Sequence, residues 1–153
     1  MEIIPYASEL KSHIKTLNTE WLEKYFAMEL KDTVQLSDPE NEIINKGGYI
    51  YYGKLDETII ATFSLLKVTE AVFELGKMAV SEAYQGKGFG KQLLEYAIAT
   101  AKEKEAEKVI LYSNTKLEAA IALYKKFGFT EIPLEPNTYA RSNIKMELII
   151  THE

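Results

Sequence analysis

Val72-Phe73-Glu74-Leu75-Gly76-Lys77-Met78-Ala79-Val80, followed by Gln85-Gly86-Lys87-Gly88-Phe89-Gly90-Lys91 and Gln92-Leu93-Leu94-Glu95-Tyr96-Ala97-Ile98, reads as strand, glycine-rich loop and helix. Glycines at 86, 88 and 90 let the backbone take positive φ and approach a ligand closely, so that consecutive N–H groups can converge on an anion. The helix that opens there adds about half a positive charge at its N-terminus. Phe89, Leu93, Leu94, Ala97, Ile98 and Ala101 recur at helical spacing, so one stripe packs on a sheet and holds the loop still. The natural guest of such a loop is a diphosphate.

Spacing separates the nucleotide loops. A Walker A loop needs G-x-x-x-x-G-K-[ST], but Lys91 is followed by Gln92, and Gln85 stands where the first glycine should be. The magnesium-binding hydroxyl is missing, which argues against ATP hydrolysis. A dinucleotide fingerprint needs G-x-G-x-x-G after a βαβ pattern, whereas this chain has G-x-G-x-G after antiparallel hairpins. What remains, Gln85-x-x-Gly88-x-Gly90, resembles the Q/R-x-x-G-x-G/A acyl-CoA loop of the GNAT superfamily of N-acetyltransferases. The plainer alternative is a glycine turn that merely starts a helix.

A chain of 153 residues is most economically one domain, 1–153, able to bury a core without staples. It has no cysteine, so disulfides, thiolate metal sites and an acyl-cysteine route are excluded. Its two histidines, His13 on an expected surface helix and His152 at the end, read as solvated and incidental, and no metal site is expected. The net charge of −5 speaks against a nucleic-acid partner and suits an amine. The N-terminus lacks the pattern of a signal peptide and no apolar run reaches membrane-spanning length, so a soluble cytoplasmic protein without a membrane partner is expected.

In chain order, Ile3-Ile4-Pro5 suits a short edge strand, and Ser8 an N-cap. Leu10, Ile14, Leu17 and Trp21 form a helical stripe that Leu22, Tyr25, Phe26 and Leu30 continue after a bend at Asn18-Thr19. Asp38-Pro39-Glu40 opens a short helix that Gly47-Gly48 stops. Tyr49–Lys54, Thr58–Val68 and Val72–Val80 make an antiparallel meander. The helix after the glycine loop then crosses over, right-handed, to a strand at Lys108–Ser113 parallel to Val72–Val80. A helix from Leu117 ends at Gly128 in a left-handed cap, and Phe129–Leu134 and Ile144–Ile150 finish the sheet, with Pro133, Pro136 and Asn137 marking the loop between them.

On that second helix, Ala120-Ile121-Ala122-Leu123-Tyr124-Lys125-Lys126-Phe127-Gly128-Phe129 is similar to the A-x-x-L-Y-x-x-x-G-F signature of GNAT enzymes. The two motifs stand in the family's order, and the resemblance covers Thr58 to the C-terminus. It implies an α/β fold: a mixed, mostly antiparallel central sheet, a parallel pair splayed at the CoA site, and helices on both faces. One position departs. Many members carry an asparagine seven residues before the helix tyrosine, where this chain has Leu117. Asn114 stands three residues earlier, either as a polar contact for pantetheine or as a turn asparagine.

The resemblance further implies acetyl-CoA as cosubstrate without metal. Backbone amides from Gln85 through Gly86, Lys87, Gly88, Phe89 and Gly90 would hold its pyrophosphate, and Met78, Ala79 and Val80 its pantetheine as an added strand. Lys87, Lys91 and Lys126 are candidates to neutralise phosphate. A protonated amine must lose a proton before it attacks a thioester, and the departing thiolate is helped by gaining one. Glu74 is the candidate base, sharing the parity of Met78 and Val80 unless Gly76 marks a bulge; a surface pairing with Lys77 is the bland alternative. Tyr124 is the candidate acid, with simple packing as its alternative, and a backbone N–H of Ala79 or Val80 would polarise the carbonyl. Trp21 and Tyr25 are candidate walls of an acceptor site. Arg141, the single arginine, suits either a carboxylate on the acceptor or a structural salt bridge. The function expected is N-acyl transfer by direct attack in a ternary complex on a small-molecule, amino-acid or peptide amine. The alternative is a noncatalytic acyl-CoA-binding sensor or interaction domain, and the resemblance also implies a homodimer.

Overall fold

The computed structural model describes residues 1–136 and 139–152. Asn137 and Thr138, part of the expected late loop, lie outside them. Among the described residues seven strands form one sheet: β1 (Glu2–Pro5), β2 (Tyr49–Leu55), β3 (Thr58–Lys67), β4 (Val72–Val80), β5 (Lys108–Ser113), β6 (Thr130–Ile132) and β7 (Ile144–Ile149), in the order β1-β2-β3-β4-β5-β7-β6. Among the described residues every neighbouring pair is antiparallel except β4 and β5. The crossover between that pair is α3 (Phe89–Glu103), as a strand, a helix of this length and a strand require.

Helices cover both faces. On one, α3 and α4 (Glu118–Lys126) bury Leu93, Leu94, Ala97 and Ile121 against Phe63, Leu65, Phe73 and Leu75. On the other, α1 (Lys11–Tyr25) and α2 (Leu30–Ser37) bury Ile14, Leu22 and Leu36 with Ile43, Ile50 and Tyr52. Each such fully buried large aliphatic side chain contributes about 1.5–3 kcal/mol. The left-handed cap expected at Gly128 is present, with φ +97° and Phe129 N–H donating to Tyr124 O at 3.0 Å.

The N-terminal helices differ from expectation. α1 runs unbroken through Asn18-Thr19, because Asn18 is buried and its side chain bonds inward instead of bending the helix. The chain leaves the helix only at Phe26, and α2 begins afresh at Leu30, with Glu29 N–H donating to Asp32 Oδ2 at 3.0 Å. Tyr25 and Leu30 are exposed, so they do not continue the apolar stripe. Ser8 opens only a single tight turn, without a side-chain cap. After Pro39 comes one π-type turn, Glu40–Ile44, closed by Asn45 N–H to Glu40 O at 2.7 Å. His152 is exposed, as expected, with Nε2 2.7 Å from Ala106 O.

β4 carries the irregularity that positions the site. From Gly76 to Ala79 it advances three residues while β3 advances two, from Ser64 to Thr62, so one residue is extra. Lys77 absorbs it in the left-handed region, φ +49°. Paired residues share a face: Glu74, Gly76 and Ala79 lie opposite Leu66, Ser64 and Thr62, on the α1 and α2 side. Met78 and Val80 fall on the α3 and α4 side. The shared parity of Glu74 with Met78 and Val80 is therefore broken, by the bulge beside Gly76.

Candidate active site

β4 and β5 are paired only from Val72/Lys108 to Leu75/Leu111. Beyond that they part, and a cleft of about 480 Å³ opens between them. Its walls bring together Glu74, Met78, Ala79 and Val80 from β4 with Gln85, Asn114 and Tyr124, and Trp21, Tyr25 and Arg141 close the α1 side. The loop residues Gly86 to Lys91, and Lys126 at the exposed end of α4, are not in these walls.

The loop at the mouth has the backbone an anion needs. Gly86 and Gly88 have φ +78° and +85°, and a Cβ on either would meet nothing within 4 Å, so conformation, not crowding, requires glycine. The first backbone bond into α3 is Gln92 N–H to Gly88 O at 3.2 Å, which leaves the preceding amides, Gly88 to Lys91, without a partner in the helix. Gln85 reaches back, Nε2 donating to Val80 O at 2.9 Å. Lys87 and Lys91 are exposed; Lys87 lies 5.9 Å over the Tyr84 ring, and Lys91 is 4.0 Å from Glu95.

Strand alternation tells which β4 amides face the cleft. Ser81 N–H donates to Ile60 O at 2.7 Å, so Ala79, two residues back, also turns its N–H toward β3. Val80 and Met78 turn theirs to the edge that β5 has vacated. Of the two amides expected to polarise a carbonyl, that of Val80 faces the vacated edge and that of Ala79 does not; the Met78 amide, not singled out from the sequence, faces it too.

Glu74 and Tyr124 reach the cleft from opposite faces of the sheet. Burial pushes the Glu74 carboxyl up, and the charges of Lys77, Lys31 and Lys145 only partly oppose it. The Glu74–Lys77 pair weighed from the sequence is not formed, because Lys77 Nζ sits 2.7 Å from Asp32 Oδ1. Tyr124 is buried on α4 with its ring 5.8 Å from that of Phe129; burial alone pushes its hydroxyl up to about 12. Beside Glu74, Tyr112 donates its hydroxyl to Glu135, and Tyr139 contacts Gln35 Oε1 at 3.4 Å. Burial first, and then negative charge including Glu74, raises the Tyr139 hydroxyl as well.

Sequence reasoning missed the charged cluster behind this wall. Asp32, with no exposed surface, accepts Arg141 Nη1 and Nη2 at 2.6 and 2.8 Å as well as Lys77 Nζ. Burial raises the Asp32 carboxyl, but Arg141 and Lys77 outweigh it and hold the group at about 2. Glu29 accepts Arg141 Nη1 at 3.1 Å and the N–H groups of Ala140 and Arg141 at 2.8 and 3.2 Å. Of the two roles weighed for Arg141, the salt bridge is the one formed here. Asn114 acts as a turn residue, donating to Arg141 O at 2.7 Å and accepting Lys116 N–H at 2.8 Å. The signals were a lysine inside an apolar strand and a lone arginine, neither of which names its partner. Among the described residues no group of three His, Cys, Asp or Glu is placed to hold a metal ion, and no helix is long and apolar enough to cross a membrane.

Residues 13–129 match the model of the acetyltransferase (GNAT) family. YvbK, an uncharacterised N-acetyltransferase of Bacillus subtilis, is 33% identical over 104 residues, 66% of this chain and 67% of its own length. The ribosomal protein bS18-alanine N-acetyltransferase of Escherichia coli K12 is 31% identical over 91 residues, 60% of this chain; the match spans 62% of that relative, just under two thirds of it. A GNAT-family acetyltransferase from Staphylococcus aureus Mu50 superposes with a TM-score of 0.87 at 23% identity, covering 98% of this chain and 99% of its own. The protein yncA of Salmonella typhimurium, solved with its cofactor acetyl-CoA, gives 0.77 at 19% identity, covering 100% and 95%.

Proposed function

This chain belongs to the acetyltransferase (GNAT) family, and on that premise we propose that it moves an acetyl group from acetyl-CoA to a primary amine by direct transfer in a ternary complex. One observation carries the reading: a cleft between splayed strands, entered beside a glycine loop with unpartnered amides, has a carboxyl of raised pKa on one wall and a buried tyrosine on the other.

The residues present fit the cosubstrate. The unpartnered amides at the start of α3 accept a diphosphate, and the free edge of β4 at Met78 and Val80 accepts a peptide-like pantetheine as an added strand. Acetyl-CoA, when bound, supplies the activated acyl group. The N–H of Met78 is the donor for the oxygen on which charge develops, and that of Val80, a strand repeat further on, is left for the pantetheine. Glu74, on the α1 side, removes a proton from the incoming ammonium, directly or through water. Tyr124, on the α4 side, stays protonated at neutral pH because burial holds its hydroxyl at about 12, so it is available to protonate the departing thiolate. Base and acid on opposite faces suit a transfer in which amine and sulfur flank the same carbonyl. Trp21 and Tyr25 wall the acceptor side.

Glu74→Gln tests the reading. Turnover near neutral pH should fall by about ten- to a thousandfold, a general base being typically worth about 10²–10⁴, with CoA affinity nearly unchanged. Rising pH should partly rescue the variant, because more amine is already neutral. In the wild type the raised Glu74 pKa means that the rate climbs with pH through a midpoint above the ordinary carboxylate range. An unchanged turnover at saturating CoA and amine would exclude Glu74 as the base.

A further inference from the structure

Asn18 occupies the middle of α1 with no exposed surface, a place where asparagine is neither a good helix former nor an apolar filler. Its amide is fully engaged. Nδ2 donates to Ile14 O at 2.9 Å and to Lys77 O at 3.1 Å, and Oδ1 accepts the Trp21 Nε1–H at 3.0 Å.

The Lys77 carbonyl belongs to the left-handed residue of the β4 bulge, which the bulge has taken out of the ladder with β3. The preceding carbonyl, Gly76 O, has its own clamp in Ser64 Oγ–H at 2.9 Å. The chain contains no cis peptide among the described residues, so in the Lys77–Met78 amide the carbonyl and the N–H point in opposite directions. A carbonyl held toward α1 therefore turns the Met78 N–H away from α1. Strand alternation assigns that N–H to the edge vacated by β5, the edge on which Val80 O accepts Gln85. A rotation of this one peptide would remove the donor from the cleft and leave the Lys77 carbonyl buried without a partner.

We propose that Asn18 is a positioning residue: it fixes the Lys77–Met78 peptide so that the Met78 N–H meets the thioester carbonyl. Through Trp21 it ties that donor to the wall of the acceptor site. The inference rests on the acetyl-transfer reading only in taking acetyl-CoA as the ligand. Asn18 touches no substrate. It acts by denying the bulge its alternative peptide orientation, which a helix residue can do because α1 packs directly over β4.

The test is the infrared carbonyl stretch of acetyl-CoA, labelled with carbon-13 at the thioester carbonyl and bound to wild type and to Asn18→Ala. In the wild type the stretch should lie below that of free acetyl-CoA. In Asn18→Ala it should return most of the way to the free position while the Kd for CoA changes less than about threefold. Losing an oxyanion donor outright costs about 10²–10³ in kcat, so a misaimed one should lower kcat at least about tenfold, with acetyl-CoA KM little changed. An equal stretch in the two folded proteins overturns the proposal. If Asn18→Ala does not fold, the wild type decides alone: the Met78 amide proton should move downfield with acetyl-CoA but not with CoA, and a Met78 amide indifferent to the acetyl group overturns the proposal. A wild type that lowers the stretch, loses it on substitution and yet acetylates no amine supports Asn18's role while refuting the transfer reading. A wild type that does not bind acetyl-CoA overturns both.

Discussion

Asp32→Asn should destabilise the protein severely, although Asp32 is neither the base nor the acid proposed above. Its carboxylate has no exposed surface and takes charged donors from Arg141 at 2.6 and 2.8 Å, from Lys77 at 2.7 Å, and an N–H from Glu29 at 3.0 Å. Asparagine keeps the shape but removes the charge and turns an NH2 toward donors that have no other anion as close. Leaving a buried cation without its counter-ion costs about 3–5 kcal/mol, and little of this is screened by salt because the cluster is out of water. For a chain of this size each kcal/mol shifts Tm by about 2–4 °C, so the loss should be about 6–20 °C in a thermal melt followed by circular dichroism at pH 7. Arg141 keeps Glu29 at 3.1 Å, so the cost comes mainly from Lys77, whose ion pair is with Asp32; the same substitution in a Lys77→Met background should cost less, which a double-mutant cycle measures. A pH series gives an independent reading. The Asp32 carboxyl is held at about 2 in the folded chain against 3.8 ordinarily, so its stabilisation is present above pH 4 and disappears as pH falls through 2. About 2–3 kcal/mol of the wild type's acid sensitivity should be absent in Asp32→Asn. A Tm lowered by less than about 2 °C, or an equal cost in both backgrounds, would refute the cluster's role in holding α2, the bulge and the late loop together.

Two further substitutions separate chemistry from packing and from binding. Tyr124→Phe keeps the ring against Phe129, so a purely structural tyrosine should lose little activity per folded molecule; as the acid, its loss should lower turnover about 10²-fold or more, about 2.7 kcal/mol, with acetyl-CoA affinity nearly unchanged. Wild-type turnover in a folded Tyr124→Phe with chemistry rate-limiting would make Tyr124 a core aromatic only. Gly88→Glu puts a carboxylate at the proposed anion cradle and forces a side chain into φ +85°; calorimetry should show CoA binding strongly weakened in a folded protein, and equal affinity would remove the loop assignment.

The parts of this molecule legible in the sequence are those fixed by neighbours along the chain. The glycine loop, the crossover helix, the meander and the Gly128 cap each follow from residues a few positions apart. The bulge does not. It places a non-glycine residue, Lys77, at positive φ, and the groups that clamp the carbonyls there, Ser64 on Gly76 and Asn18 on Lys77, come from 12 and 59 positions away. Asn18 looked like a bend because asparagine in a helix usually competes with the backbone; here the carbonyl it reaches belongs to another element. The same holds for Arg141, whose carboxylate partners stand 109 and 112 positions earlier. α2 was hidden because Leu30 and Val34, one turn apart, are both exposed, so the helix shows no single apolar stripe. Glu74 and Tyr124 could be singled out as candidates, but that they enter the cleft from opposite faces depends on the register shift in β4.

The most direct measurement of the central claim is a panel of amines, from amino acids and peptides to simple alkylamines, incubated with the protein and acetyl-CoA, with released CoA thiol and product mass followed together. At least one amine should give CoA and N-acetylated acceptor in equal amounts, with intersecting initial-velocity lines and no acetyl group left on the protein. Acetyl-CoA that is bound but left intact with every amine would contradict catalysis and favour an acyl-CoA-binding domain; acetylated protein with parallel lines would contradict direct transfer.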